Sequence, residues 1–321
     1  MKKLILIPLT LCLVSLQTAM AQTYRISVNQ FVEHPALDSV LKGFKDYMKE
    51  ANVQIDYNVH NAQANMGTAT QIGQQIVGEK ADLIMAIATP SAQACARALE
   101  KAPSKLRRPL LFTAVTDPVA AGLVDNLNQP GGYITGVSDL LPLKKHLEML
   151  IAFLPNIEKL GVMYNAGEAN SKVLVKTLRE LSQNYGIKVI DATASKTSDV
   201  YQAAKSLVGK VDAVFIPTDN TIVSGLEAAI KVGTQYRMPI FAGDVDSVRR
   251  GSVAAMGFDY YKHGRQTGAM ALKILQGADT AQIPVEFQKE LELHINTKYA
   301  ELMGVTPPQS LLKKADKIYG N

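Results

Sequence analysis

VDAVFIPTDNT, residues 211–221, is an apolar run that ends at Pro217 and sets out Thr218, Asp219 and Asn220 before a helix-like stretch begins. Shifted by about 130 residues, it lies over ADLIMAIATPS, residues 81–91, with Asp82 on Asp212. Farther on, RPLLFTAVTD (108–117) lies over MPIFAGDVDS (238–247), with Pro109 on Pro239. Both copies read as a strand, a helix and a Pro-initiated strand at one spacing. That regularity predicts a duplicated lobe.

The flanking sequence continues the alternation. Ile26 and Val28 keep a period of two, and Leu37, Val40, Leu41, Phe44 and Met48 then fall on one helical face. In the second half Lys159 to Tyr164 reads as a strand and Val173 to Tyr185 as a helix stopped by Gly186. Strand and helix taking turns predicts an α/β protein with two similar, doubly wound parallel-sheet lobes.

Residues 1–21 stand apart from this pattern. Lys2 and Lys3, the apolar run Leu4 to Leu16 and the small-x-small end Ala19-Met20-Ala21 predict a cleaved signal peptide, hence an exported protein in the periplasm. The run is shorter than the ~20 residues of a spanning helix. Cleavage leaves Cys95 as the single cysteine, so no intrachain disulfide is possible; among alanines it reads as a small buried residue. The net charge of +5 loses Lys2 and Lys3 with the leader, which is too weak a balance to argue for nucleic acid.

Open parallel sheets bind ligands beyond the carboxyl ends of their strands. Facing lobes would therefore line one cleft with the loops Gln30 to His34, Thr89 to Ser91 and Thr113 to Asp117 opposite Tyr164 to Ser171, Thr218 to Asn220 and Gly243 to Asp246. Thr89 and Ser91 open a helix, where they either cap it or help to hold an anion. Asp219 is a helix cap or an ammonium ligand, whereas Asp244 has no such obvious local duty, although a turn role beside Gly243 is open to it. Donors on one wall and carboxylates on the other suit a zwitterion such as an amino acid. Catalysis fits less well. The five histidines show no metal-ligand spacing and no HExxH, GxSxG, Walker or GxGxxG pattern occurs, so neither enzyme activity, metal nor cofactor is expected. Paired carboxylates leave glycoside hydrolysis open, but the chain has no Trp to platform a sugar.

QFVEHPALDSVLKGFKDYM (30–48), IATPSAQA (87–94), FTAVTDPVAAGLV (112–124), GVSDLLPLKKHLEML (136–150) and PTDNTIVSGLEAAI (217–230) together resemble ABC-transporter substrate-binding proteins of the tryptophan/tyrosine-binding type. The resemblance covers essentially the whole mature chain. It implies a type I periplasmic binding fold whose lobes, joined by three crossovers, close over an amino acid, by the resemblance an aromatic one, and present it to a permease in the inner membrane. The first lobe is then expected to span 22–138 with about 259–290, and the second 139–258 with about 291–321. Hinge crossovers are expected near Gly136, Ser138 and Asp139, near Phe258 and Asp259, and beyond residue 285. Carried over by position, Ser91 and Thr116 with the amides around Thr89 take the ligand carboxylate, and Asp244 with Asp219 nearby takes the ammonium. Gln30 and Asn165 end corresponding strands and add polar contacts, while Phe31, Tyr133 and Tyr164 are candidate ring neighbours. A monomer is expected. The alternatives are a sensory module serving a separate receptor and, more remotely, a periplasmic hydrolase.

Overall fold

The computed structural model describes residues 22–320, so the expected signal peptide lies outside the described residues. The chain starts with β1 (Thr23–Gln30), α1 (Pro35–Glu50), β2 (Gln54–Asn61), α2 (Met66–Val77), β3 (Leu83–Ile87), α3 (Thr89–Lys101), β4 (Leu110–Val115) and β5 (Ile134–Ser138). It continues through α4 (Leu143–Phe153), β6 (Lys159–Tyr164), α5 (Ala169–Gln183), β7 (Lys188–Thr193), α6 (Val200–Ser206), β8 (Ala213–Ile216), α7 (Asn220–Ser224), α8 (Leu226–Tyr236), β9 (Ile240–Ala242), α9 (Asp246–Arg249) and β10 (Ala254–Gly257). The last part holds α10 (Tyr260–Leu275), β11 (Glu286–Phe287), β12 (Glu292–Asn296), α11 (Thr297–Leu302), α12 (Gln309–Leu312) and β13 (Lys317–Tyr319).

Two sheets result, ordered β11-β5-β4-β3-β1-β2 and β13-β12-β10-β9-β8-β6-β7. The pairings are parallel apart from β10 with β12. Central strands β3 and β4 are buried along their whole length, which is why they read as unbroken apolar runs rather than as alternating ones.

The shared residues of the repeat do the same work in both halves. Asp82 accepts a hydrogen bond from the Arg25 amide at 2.7 Å, and Asp212 accepts one from the Lys159 amide at 2.7 Å, so each pins the start of its lobe's first strand. The Pro109 carbonyl accepts from Ile84 N at 2.9 Å and that of Pro239 from Val214 N at 2.8 Å, each opening a strand pair.

The chain passes from the first sheet to the second after β5, returns between β10 and α10, and crosses again between β11 and β12. α10 comes back onto α1 of the first lobe. Two similar doubly wound lobes with three crossovers are the type I periplasmic binding arrangement that the resemblance implies. The lobes also touch away from the crossovers, where α3 meets α5.

Candidate ligand-binding site

A cavity lies between the lobes, at the carboxyl ends of both sets of strands. Its first wall consists of the opening turn of α1 (His34, Ala36, Leu37), the end of β4 (Ala114, Thr116) and two crossover residues, Asp139 and Tyr260. Its second wall is supplied by Asn170, Thr218 to Asn220, Val223 and Asp244.

On the first wall β4 slips register against β5 between Thr113 and Val115, and Ala114 takes φ +52°. Such a bulge re-aims side chains next to a site. The displaced Ala114 amide donates to Nε2 of His263 on α10 at 3.1 Å, so a buried side chain outside the strand holds the bulge in place. Beyond it, Thr116 Oγ1 donates to Asp139 Oδ1 at 3.3 Å and the Tyr260 hydroxyl to Asp139 Oδ2 at 2.8 Å. Burial pushes the Asp139 carboxyl above its ordinary value, and burial with the nearby Asp139 and Asp244 charges pushes the Tyr260 phenol well above its own.

The second wall is a lattice of buried acids. Asp219 caps α7 by accepting from Ile222 N at 2.8 Å, while its other oxygen accepts from Asn165 N at 2.6 Å and Ser171 Oγ at 2.5 Å. Glu168 accepts from the amides of Asn220 (3.2 Å) and Thr221 (2.9 Å), from the Thr221 hydroxyl (2.7 Å) and from Nδ2 of Asn220 (2.6 Å) and Asn170 (3.2 Å). Burial and the neighbouring Glu168 raise the Asp219 carboxyl. Asp244 takes the turn role that was open to it: its two oxygens accept from the Ser247 amide at 2.8 Å and hydroxyl at 2.6 Å, closing the turn into α9. Burial raises its carboxyl too.

Of the residues expected at the site, the structure brings Thr116, Thr218, Asp219 and Asp244 to the cavity, joined by Asp139 from the expected hinge. The turn 89–91 stays behind the wall. α3 starts one residue after β3, and the intervening Ala88 takes φ +78°. Ser91 Oγ therefore donates to the buried Asn29 side chain at 3.0 Å, and Thr89 is enclosed with its hydroxyl unpartnered. Gln30 is turned onto Asp38 and the Val32 carbonyl, and Asp117 caps its own turn through the amides of Val119 and Ala120. Asn165 braces α7 through the Thr221 hydroxyl.

None of the three expected ring neighbours lines the cavity. Phe31 is sealed in the first core, Tyr133 precedes β5 at the opposite end of the sheet under Arg107, and Tyr164 leans outward to Asp191 of the edge strand β7. In the crossovers, Ser138 donates to the Thr116 carbonyl and Asp259 caps α10, while Phe258 joins the second core. At Gly136 a Cβ would strike the Phe112 carbonyl and ring. Ala36, Leu37, Val223 and Tyr260 are cavity residues outside the expected loops, while His34 and Asn170 lie within those loops without having been assigned a ligand contact. The available signal was positional: His34-Pro35 starts a helix directly beyond a first strand, and Asn170 and Tyr260 open helices beyond β6 and β10.

Residues 25–319 match the family described as ABC transporter substrate binding protein, and the chain belongs to that family. The tyrosine-binding protein of Clostridioides difficile (strain R20291) is 42% identical over 277 residues, covering 84% of this chain and 78% of that one. Among solved structures, an ABC domain from Streptococcus pneumoniae in complex with L-Trp shares 33% identity with a TM-score of 0.85, over 91% of this chain and 99% of that one. A ligand-free, open substrate-binding protein with adhesive properties from Clostridium difficile is 36% identical but has a TM-score of 0.67, over 93% of this chain and all of that one. The lower score goes with the higher identity, so sequence distance is not what separates the two. The apposed lobes of this chain resemble the ligand-bound arrangement.

Proposed function

We propose that this chain is the periplasmic solute-binding component of an ABC importer, exported by a cleaved leader, which captures an aromatic amino acid and presents it to a membrane permease. The carrying observation is a two-walled cavity with the carboxyl groups of Asp139 and Asp244 on it and no Lys or Arg among its lining residues. An ammonium meets these acceptors by charge-assisted hydrogen bonds. The ligand carboxylate goes to the opening turn of α1: a 16-residue helix with Pro35 in its first turn and no side-chain cap from His34 leaves the Ala36 and Leu37 amides and the helix dipole facing the cavity. Thr116 adds a hydroxyl on the same wall. Leu37, Ala36 and Val223 supply apolar surface for the side chain. The tyrosine-binding relative and the L-Trp-bound neighbour support the ligand class. Binding rather than turnover is favoured because the acids are held by fixed donors of their own lobe.

The test is a thermal-shift screen of the ligand-stripped protein against amino acids, sugars and purines. A ligand at 100 times its dissociation constant adds about 2.7 kcal/mol of stability, so L-Tyr, L-Trp or L-Phe is expected to raise Tm by several degrees. A shift with a sugar or purine and with no amino acid overturns the reading.

A further inference from the structure

Two sets among the polar groups of the cavity differ in chemistry. Asp139, Tyr260 and Asp244 are acidic groups, and the Tyr260 hydroxyl donates to Asp139 at 2.8 Å. The other set is neutral. His34 Nδ1, Asn170 Oδ1 and Thr218 Oγ1 are buried, line the cavity and have no hydrogen-bond partner. His34 is 8% exposed and Asn170 3%, so solvent does not compensate for the missing bonds. A buried polar atom without a partner costs about 1–3 kcal/mol, and three of them lining one cavity, His34 on the first wall and Asn170 and Thr218 on the second, argue that something fills their needs there.

These atoms are held together by one lattice. Asn170 Nδ2 donates to the Thr218 carbonyl at 2.9 Å and to Glu168, which fixes the amide with its oxygen left over. Asn220 Nδ2 donates to the same Glu168 oxygen at 2.6 Å, and the His34 side chain reaches across from the first lobe to Asn220. Asn170 Oδ1 only accepts, so it repels a carboxylate, and the Thr218 hydroxyl can donate as well as accept. Burial lowers the His34 imidazole to about 3, so this ring brings no positive charge to the site. The set therefore calls for a neutral group that both donates and accepts.

We infer that His34, Asn170 and Thr218 form a subsite for the hydroxyl at the far end of the ligand's ring, making the protein selective for tyrosine over phenylalanine. This rests on the amino-acid reading above and assigns the residues that discriminate within that class. The phenol donates to Asn170 Oδ1 and accepts from Thr218 Oγ1 or the His34 ring. Phenylalanine leaves all three unsatisfied. Sites built to bond a substrate hydroxyl reject the analogue that lacks it far more strongly than apolar pockets discriminate by size. Tryptophan, with an indole N–H that only donates, satisfies the asparagine alone and ranks between.

Calorimetric titration of the ligand-stripped protein with L-Tyr, L-Trp and L-Phe tests this, together with the variants Thr218→Val and His34→Phe. Wild type is expected to bind tyrosine at least about tenfold more tightly than phenylalanine. Thr218→Val is expected to lower tyrosine affinity about tenfold, hold phenylalanine within about twofold and so erase the preference. His34→Phe is expected to shift the ratio in the same direction. Equal wild-type affinities for tyrosine and phenylalanine overturn the subsite. So does an equal fall for both ligands in Thr218→Val, which would place the shared ammonium there instead. Binding of no amino acid at all is a separate outcome that removes the ligand class itself.

Discussion

His146 is enclosed in the second lobe with neither ring nitrogen hydrogen-bonded, its ring edge-on to Phe215 at 5.6 Å. Burial lowers it to about 4, as it lowers His263 to about 4 and His34 to about 3. A histidine whose folded value lies below its unfolded one contributes stability that is fully present above about 6.5 and is lost as pH falls toward the folded value. Each unit of such a shift is worth 1.36 kcal/mol, so three buried neutral histidines make a steep loss of stability between about pH 6.5 and 4 the expected behaviour. His146→Leu removes two unpartnered polar atoms and one of these titrations. Urea melts are expected to find it about 1–2 kcal/mol more stable than wild type at pH 7.5, with a wider margin at pH 5. A variant less stable at both values by the same amount would mean that the ring's fit against Phe215 matters more than its nitrogens. At this scale the sequence was legible only in part. Asp219 stood at a strand end with both a capping and a ligand use open to it, and the cap proved real. Asp244 beside Gly243 stood open to a turn role, but Ser247 as its partner had no signature beyond the spacing of three residues. Glu168 went unnoticed because its five donors come from residues set 2 to 53 positions away.

The pair α1 and α10 shows what the elements add. Gly264 rests against the Val40 carbonyl and Gly43 against that of Tyr261, so the two backbones meet without side chains between them. Gly264→Ala puts a methyl group into backbone that has no rotamer to change. Overpacking typically costs about 1–3 kcal/mol, and this contact belongs at or above the upper end. Because α1 opens onto the cavity and α10 carries His263 beneath the Ala114 bulge, ligand affinity is expected to fall along with stability. Denaturant melts and titration of Gly264→Ala check both, and a variant that loses stability but keeps wild-type affinity would show that the helix pair does not set the cavity wall. Strand and helix order was readable because each element carries its own period, and the duplication was readable because Asp82 with Asp212 and Pro109 with Pro239 perform matching backbone duties. The orientation of α3 was not. It turns on a single residue, Ala88, in a left-handed conformation that an alanine does not announce. The expected ring neighbours lie off the cavity for a related reason: a tyrosine at a strand end can lean toward the cleft or the sheet edge, and Tyr164 leans to Asp191 on β7.

At the scale of the whole molecule the three crossovers are, among the described residues, the only covalent links between lobes that on the proposed function separate to admit a ligand. A ligand touching both walls favours the closed form by its differential affinity for the two states. The Tyr260 hydroxyl on Asp139 sits where this balance is set, since it joins the second crossover to the first and faces the cavity as well. Tyr260→Phe leaves Asp139 Oδ2 without that donor and uncouples the two segments while keeping the ring. Loss of a hydrogen bond to a charged group costs about 1.5–3 kcal/mol, so amino-acid affinity is expected to drop by at least about tenfold. X-ray scattering separates the two ways this could arise. If the bond sets the hinge, the variant without ligand has a larger radius of gyration than wild type, and both reach the same compact value at saturation. An unchanged radius with reduced affinity would make Tyr260 a contact of the cavity wall alone, and unchanged affinity would mean that neither the hinge nor the ligand depends on its hydroxyl.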